Sequence, residues 1–210
     1  MRGLLARLLG AGGESAQDAR WLVVDCETTG LDVARDRLLS IGAVPVRAGR
    51  VELANAFSRL LRHAQPSSDE NILVHGIGGQ AQASGDEPRR VLEDFVAYAG
   101  QGPLVAFHAP FDRAMLEREA RTQGLRWRRQ WLDIAELLRV LFAAHARRSR
   151  GLDDWLRAFG IAHDARHDAL GDAYATAQLT LIALEEARRH GFARVSEVLR
   201  ASRGARWSGA

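Results

Sequence analysis

The sequence predicts one mixed α/β domain in which helices pack against a sheet. Apolar runs of strand length come first in its 210 residues, strand and helix patterns then alternate, and the last third is helical. With 47% hydrophobic and 26% charged residues, the composition is that of a globular chain that can bury a core. We expect an N-terminal tail or short amphipathic helix at 1–20, the domain at 21–200 and a C-terminal tail at 201–210.

The first third of the chain predicts a three-stranded meander. Residues 21–24 and 38–46 are apolar runs of strand length, which indicates buried strands. Residues 51–61 are predicted to pair with the second strand, because residues 48–50 have the composition of a tight turn. The following segment, 63–85, is rich in Gln, Ser, Gly and Asp, and we expect a loop there.

Strand and helix patterns alternate in the remainder of the chain. A helix should begin at Glu87 and Pro88 and continue to Tyr98, because apolar residues recur at helical spacing and proline favours the first helical turn. The other predicted elements are strands at 104–107 and 131–132 and helices at 110–123, 134–146, 152–159 and 168–189.

The composition also limits the setting and the partners. No run of about 18 apolar residues occurs, so no transmembrane helix is expected. Cys26 is the single cysteine, which excludes an internal disulfide and favours a reducing, cytoplasmic setting. All basic residues are arginines and the net charge is +3, which permits a nucleic-acid partner. Arginines cluster at 126–129 and at 147–150, where a solvated face and a phosphate-binding face are equally good interpretations.

Two acidic residues follow the first predicted strand. Asp25 and Glu27 are two positions apart, so in a strand both side chains project from the same face. They lie at the carboxyl end of that strand, where open α/β sheets bind their ligands. Adjacent carboxylates repel each other unless a cation lies between them, and such oxygen ligands suit Mg²⁺ or Mn²⁺. A pair of surface acids that cap a turn is the alternative interpretation.

Three further residues could complete such a site. Asp112 follows a predicted strand at the start of a helix, where a simple helix cap is the alternative. His167 and Asp172 are five positions apart, which places them on different faces of a regular helix. His167 can reach the site if it lies in the loop before the helix, with Asp168 as the cap, and an exposed loop histidine is the alternative. His163 lies nearby, and we do not expect it to belong to the site.

Together these groups are what phosphodiester hydrolysis requires. The reaction needs a nucleophilic water, stabilisation of a highly charged transition state and a proton acceptor. Two divalent metal ions about 4 Å apart can hold the attacking and the leaving oxygens, and carboxylates hold such ions. A histidine, whose ordinary pKa lies near neutrality, can accept a proton from water.

In these motifs the chain resembles the DnaQ-like, or DEDDh, 3′→5′ exonucleases, the family that includes the proofreading epsilon subunit of bacterial DNA polymerase III. The resemblance covers about residues 21–184. It is carried by three motifs in order: Asp-x-Glu-Thr-Thr-Gly at 25–30, the segment 107–112, and His-x-x-x-x-Asp at 167–172. It implies a ribonuclease H-like fold, with a five-stranded mixed sheet flanked by helices.

The resemblance also implies a role for each residue of the site. Asp25, Glu27 and Asp172 would bind one metal ion, Mg²⁺ or Mn²⁺. Asp25 would also bind a second ion with support from Asp112, and His167 would act as general base. The terminal nucleotide would lie against further residues: Thr28, Thr29, Gly30, His75 and Phe111.

One position departs from the family pattern, and the substrate has alternatives. Many members have asparagine where this chain has His108, and we expect His108 to replace the supporting hydrogen bond of that asparagine. The expected substrate is the single-stranded or frayed 3′ end of a nucleic acid, with DNA favoured over RNA and a polymerase subunit as candidate partner. Trimming of RNA is the alternative. A non-catalytic nucleic-acid-binding module is a further alternative, which the presence of all five catalytic residues opposes.

Overall fold

The computed structural model describes residues 13–163 and 166–204, and a six-stranded mixed sheet runs through its centre. The strands are β1 (Trp21–Thr28), β2 (Leu38–Arg47), β3 (Arg50–Val51), β4 (Phe57–Leu60), β5 (Leu104–Ala106) and β6 (Trp131–Asp133). Their order is β3-β2-β1-β5-β6, and β4 also pairs with β2. β1 is parallel to β5, and β5 to β6, so these three strands end at one edge of the sheet. The prediction of five strands is wrong by one, because the run at 51–61 divides into β3 and β4 around a short 3₁₀ helix, Leu53–Asn55.

Helices cover both faces of the sheet. In the described ranges they are α1 (Asp69–His75), α2 (Gly79–Ser84), α3 (Pro88–Ala99), α4 (Pro110–Thr122), α5 (Ile134–Leu141), α6 (Ala143–Ala146), α7 (Leu152–Ala158), α8 (Ala169–Arg189) and α9 (Val195–Gly204). Alternate side chains of β1 enter different cores. Trp21 and Val23 pack with residues of α5, α8 and α9, whereas Leu22 and Val24 pack with residues of α3 and α4. The predicted layered α/β domain is therefore confirmed.

The segment 63–85 is not the predicted loop, because it forms α1 and α2. These helices are short and lack an apolar stripe, so hydrophobic periodicity does not reveal them. Polar contacts hold them instead. Ser68 caps α1, and Gly76 ends it in the left-handed conformation. The buried Gln82 side chain accepts the backbone N–H of Ser67 and donates to the Ser67 hydroxyl, both at 2.8 Å.

The ends of the domain also extend beyond the predicted boundaries. Ala16 and Ala19 fall in the predicted N-terminal tail, yet both are buried, and the Ala16 N–H donates to the Ala193 carbonyl at 2.9 Å. At the other end, α9 continues through 201–204, which were predicted to lie in a tail. The rest of the two predicted tails, with the predicted amphipathic helix, lies outside the described residues, at 1–12 and 205–210.

The predicted helices of the central region are present, with one interruption. Glu87 caps α3 by accepting the N–H groups of Arg89 and Arg90. The helix predicted at 134–146 is divided at Phe142 into α5 and α6. Among the helices in the described ranges, none combines the length and the hydropathy needed to cross a bilayer.

Candidate active site

Three carboxylates converge at the sheet edge where β1 ends. Asp25 and Glu27 project from the same face of β1, and Asp172 comes from the first turn of α8, which packs on that face. One oxygen from each carboxylate lies within 4.8 Å of the other two. Asp172 is buried, and Asp25 and Glu27 are half-buried. The structure thus brings together the three residues predicted to share one metal ion.

Asp112, the fourth predicted carboxylate, approaches β1 from the other face. It lies buried in the first turn of α4, and the apolar side chains of that helix pack in the same core as Cys26. Burial raises the pKa of Asp112, and polar contacts with its own backbone and with Cys26 partly oppose this effect. Its negative charge raises the pKa of Asp25, so the two groups interact, although Asp112 stands outside the cluster of three.

The acids of the site disfavour one another's charged forms. Burial, followed by the charges of four neighbouring acids with Asp112 foremost, raises the pKa of Asp25 well above its ordinary value. Burial and the charges of Asp172 and Asp168 raise the pKa of Glu27 from 4.5 to about 7. In the part of the chain that the structure describes, no arginine pairs with Asp25, Glu27 or Asp112. A bound cation would relieve this repulsion.

Two histidines that precede α8 contact Asp172, one through its ring and one through its backbone. The His163 Nε2 lies 2.5 Å from Oδ1 of Asp172, and the His167 N–H donates to Oδ2 at 3.0 Å. The expectation that His163 does not belong to the site is wrong, because the folded chain brings its ring to Asp172. His167 lies in the loop, as predicted, with a left-handed φ of 59°. Its Nε2 is 3.4 Å from the Arg166 guanidinium.

The start of α8 is fixed by a cap and by a close approach to the sheet. Asp168 is the cap, and its carboxylate accepts the N–H of Gly171 at 2.8 Å. Gly42 of β2 pairs with Asp25, and a Cβ at Gly42 would lie 2.2 Å from the backbone of Ala169. Glycine is therefore required for α8 to lie this close to the sheet. Gly42 is not among the residues predicted for the site, although a glycine inside a strand often marks such an approach.

The loop after β1 is held by its own hydrogen bonds. The Thr28 hydroxyl donates to the Gly30 carbonyl at 2.6 Å, and the Thr29 hydroxyl donates to the Asp36 carboxylate at 2.9 Å. Arg118 of α4 donates to two backbone carbonyls further along the loop. A Cβ at Gly30 would lie 2.5 Å from the Asp36 carboxylate. Both threonine hydroxyls therefore order the loop, and their contact with a nucleotide stays a prediction.

The remaining predicted site residues lie at different depths. His75 is buried at the end of α1, where its Nδ1 accepts a backbone N–H at 3.0 Å. Its pKa is lowered by burial and then by the nearby His167. Phe111 is partly buried against the core beneath α4. His108 is exposed, has a left-handed φ of 61°, and packs edge-on against Phe107 with ring centroids 4.7 Å apart. The supporting role of His108 stays a prediction.

Comparison with known proteins groups the chain with nucleases. A family model described as "Exonuclease" matches residues 22–180. A "DNA polymerase III PolC-type" protein of Thermotoga maritima is 30% identical over 182 residues, which are 86% of this chain and 13% of that protein. A "DNA polymerase III subunit epsilon-like protein" of Rhodobacter capsulatus is 34% identical over 201 residues, which are 91% of this chain and 28% of that protein. The chain thus spans less than a third of either relative.

Solved structures share the fold. E. coli exonuclease I in complex with a dT13 oligonucleotide has a TM-score of 0.69 at 19% identity, over 82% of this chain and 42% of that one. Exonuclease X in complex with 5′ overhanging duplex DNA has a TM-score of 0.65 at 21% identity, over 87% of this chain and 99% of that one. At these identities the likeness concerns the fold alone, and it confirms the ribonuclease H-like α/β architecture.

Proposed function

The chain belongs to the Exonuclease family, whose model matches residues 22–180, and on this premise we propose that it is a metal-dependent 3′→5′ exonuclease. It would hydrolyse the last phosphodiester bond at the 3′ end of a nucleic acid and release a nucleoside monophosphate. The observation that carries the proposal is the cluster of Asp25, Glu27 and Asp172, whose oxygens lie within 4.8 Å of one another. Half-buried acids at this spacing oppose folding unless a cation offsets their charges.

The donor set fits hard divalent cations. Carboxylate oxygens are the ligands that Mg²⁺ and Mn²⁺ prefer, and the raised pKa values of Asp25 and Glu27 reflect burial together with repulsion that a cation would remove. Asp25, Glu27 and Asp172 would hold one ion, and Asp25 with Asp112 a second. Such ions, when bound, would activate a water molecule as the nucleophile and stabilise the negative charge that develops on the phosphate.

His167 is the proposed general base. Its backbone N–H donates to the Asp172 carboxylate at 3.0 Å, which supports a position of this residue next to the proposed metal site. At neutral pH an imidazole nitrogen can accept a proton from the attacking water. The ring of His163 contacts the other oxygen of Asp172 and would help to orient that carboxylate.

DNA is the proposed substrate, with single-stranded or frayed 3′ ends preferred. The names of the relatives support this choice, because both are DNA polymerase III proteins. The similar structures support it as well, because they hold a dT13 oligonucleotide or duplex DNA with a 5′ overhang. The loop after β1, with His75 and Phe111, would lie against the terminal nucleotide. A polymerase subunit is the proposed protein partner, since the Rhodobacter relative is named after one.

The test follows the degradation of end-labelled oligonucleotides. With a 5′ label, 3′→5′ hydrolysis yields a descending ladder, whereas a 3′ label is released at once as a mononucleotide. Single-stranded DNA, duplex DNA with a mismatched 3′ end and RNA of the same sequence are compared with Mg²⁺, with Mn²⁺ and with a chelator. We expect metal-dependent ladders on DNA, and none with Asp25→Ala.

A matched control separates the site from general effects of removing an acid. Asp94→Ala removes an exposed aspartate of α3 and should leave the ladders unchanged. Immediate release of a 5′ label would contradict the polarity, and full activity in chelator would contradict the metal dependence. Faster degradation of RNA than of DNA would favour the RNA-trimming alternative.

A further inference from the structure

An arginine-rich cleft lies between α6 and α7, outside the carboxylate cluster. Its volume is about 730 Å³. Its charged lining consists of Arg147, Arg148, Arg157 and Asp154, and the imidazole of His145 lies beside them. We refer to this feature as the arginine cleft. It contains part of the arginine cluster at 147–150, which the sequence alone allows to be either a solvated face or a phosphate-binding face.

The charge of the arginine cleft is largely unneutralised. Arg147, Arg148 and the adjacent Arg150 are exposed, and within residues 13–163 and 166–204 none of them forms an ion pair. Asp154 is already engaged, because it pairs with Arg157 at 3.1 Å and accepts the backbone N–H of Arg150 at 2.9 Å. The cleft therefore presents net positive charge, and guanidinium groups match phosphate geometry.

His145, which lines the arginine cleft, is the outermost ring of an aromatic stack. The exposed ring of His145 stacks on Phe159, with centroids 5.5 Å apart and an interplanar angle of 22°. Phe159 stacks in turn on the buried Trp155, at 6.1 Å and 13°. This support gives His145 a defined position on the surface. A ring held in this way beside arginines is the combination on which proteins bind single strands, by stacking a base and neutralising phosphates.

The arginine cleft is connected to the carboxylate cluster through the chain that leads to α8. Ala158 lines the cleft, and His163 contacts Asp172. The five Cα–Cα steps from Ala158 to His163 span at most roughly 18 Å even when the chain is fully extended. Arg166, next to His167, forms an ion pair with Asp153 of α7. A strand that enters the carboxylate cluster can therefore reach the cleft within a few nucleotides.

We propose that the arginine cleft binds the sugar-phosphate backbone of single-stranded nucleic acid, upstream of the nucleotide that is removed. This inference rests on the proposed exonuclease function, because that function supplies the strand. The cleft takes no part in hydrolysis; it holds the strand between successive cleavages. Its contribution should grow with substrate length and should be absent with a dinucleotide, which is too short to reach it.

The experiment compares a variant that lacks the positive charge of the cleft with a variant that lacks equal charge elsewhere on the surface. The cleft variant is Arg147→Gln/Arg148→Gln/Arg150→Gln. The control is a second triple variant of exposed arginines at the end of α4 and beyond it: Arg121→Gln/Arg126→Gln/Arg128→Gln. Binding of a labelled 20-nucleotide DNA is measured by fluorescence anisotropy in chelator, where no hydrolysis occurs, across a range of salt concentrations. Hydrolysis of the 20-mer and of a dinucleotide is measured with Mg²⁺.

Each lost phosphate contact should lower the salt slope of single-strand binding by about 0.7. Because the cleft variant lacks three arginines, the magnitude of its salt slope should be smaller by about 2 than that of wild type. Its affinity for the 20-mer should fall by at least about tenfold at low salt. Its KM for the 20-mer should rise while kcat and all dinucleotide kinetics stay unchanged. His145→Ala should weaken binding about fivefold or more without changing the slope, because it removes stacking and no charge.

The outcomes separate this inference from the proposed function. Equal slopes and equal 20-mer KM values for the cleft variant and the control would overturn the inference, and so would a wild-type protein that does not bind the 20-mer. A wild-type protein that binds the 20-mer through the cleft but hydrolyses neither substrate would overturn the exonuclease proposal and leave the cleft as a nucleic-acid site.

Discussion

Replacing Glu27 by glutamine should stabilise the metal-free protein while it abolishes hydrolysis. In the folded protein, burial and the charges of Asp172 and Asp168 raise the pKa of Glu27 from 4.5 to about 7. Each pH unit of that difference corresponds to about 1.4 kcal/mol, so the full effect would approach roughly 3 kcal/mol. Glu27 is only half-buried, and solvent screening reduces the expected gain to about 1–2 kcal/mol. For a domain of this size, that gain corresponds to a rise in Tm of about 2–8 °C.

The stability that Glu27→Gln adds to the metal-free protein should increase as the pH rises. The folded state holds the Glu27 proton more tightly than the unfolded state does, so this carboxyl favours folding while it is protonated. That contribution is complete below pH 4.5 and is lost as the pH rises through about 7. In chelator, the wild-type protein should therefore lose stability across this interval. The Glu27→Gln variant should lose less, because glutamine does not titrate.

Urea unfolding in chelator at several pH values measures both effects. Asp94→Asn, an exposed position on α3, is the matched control and should follow the wild-type curve. Added Mn²⁺ should then stabilise the wild type and the control, because a ligand of the folded state raises its stability. The Glu27→Gln variant should gain much less. A Glu27→Gln variant that is no more stable than wild type above pH 7 would refute this prediction, and so would equal stabilisation of both proteins by Mn²⁺.

Three other substitutions test position and chemistry. His167→Ala should lower kcat by about 10²–10⁴-fold in single-turnover assays while the rise in Tm on adding Mn²⁺ persists; an unchanged kcat would exclude the general-base role. Gly42→Ala should cost about 1–3 kcal/mol of unfolding free energy by urea titration and reduce activity, because the new Cβ would meet the Ala169 backbone. The control for it is Gly78→Ala, whose Cβ meets open space. His108→Ala should lower kcat/KM if its ring supports the site, and wild-type kinetics would remove that hypothesis.

The part of the site that depends on local rules could be predicted from the sequence. Strand alternation puts Asp25 and Glu27 on one face, and the capping preference of aspartate locates the start of α8, from which Asp172 projects. The contacts that depend on distant parts of the chain could not be predicted. The ring of His163 reaches Asp172, and Gly42 meets the start of α8. The two residues of each pair belong to different parts of the chain, so the residue spacing within one helix or strand cannot predict their contact.

The same division applies to the fold. The apolar runs of β1 and β2 predict buried strands, because a strand covered on both faces needs apolar residues at successive positions. By contrast, α1 and α2 are held by polar groups. The Ser68 cap and the buried amide of Gln82 replace the apolar stripe of an ordinary surface helix. A segment rich in Gln, Ser and Gly therefore forms helices where composition predicts a loop.

Hydrogen bonds and close backbone packing set the positions of the carboxylates, whereas charge sets their energies. The segment before α8 holds both oxygens of Asp172, through the His163 ring and the His167 N–H. Gly42 lets the start of that helix lie against the sheet beside Asp25. Glu27→Gln would remove a charge and leave these contacts intact, whereas Gly42→Ala would disturb the contacts and leave every charge in place. If position and charge are separate requirements, the two variants should shift the unfolding free energy in opposite directions while both lose activity.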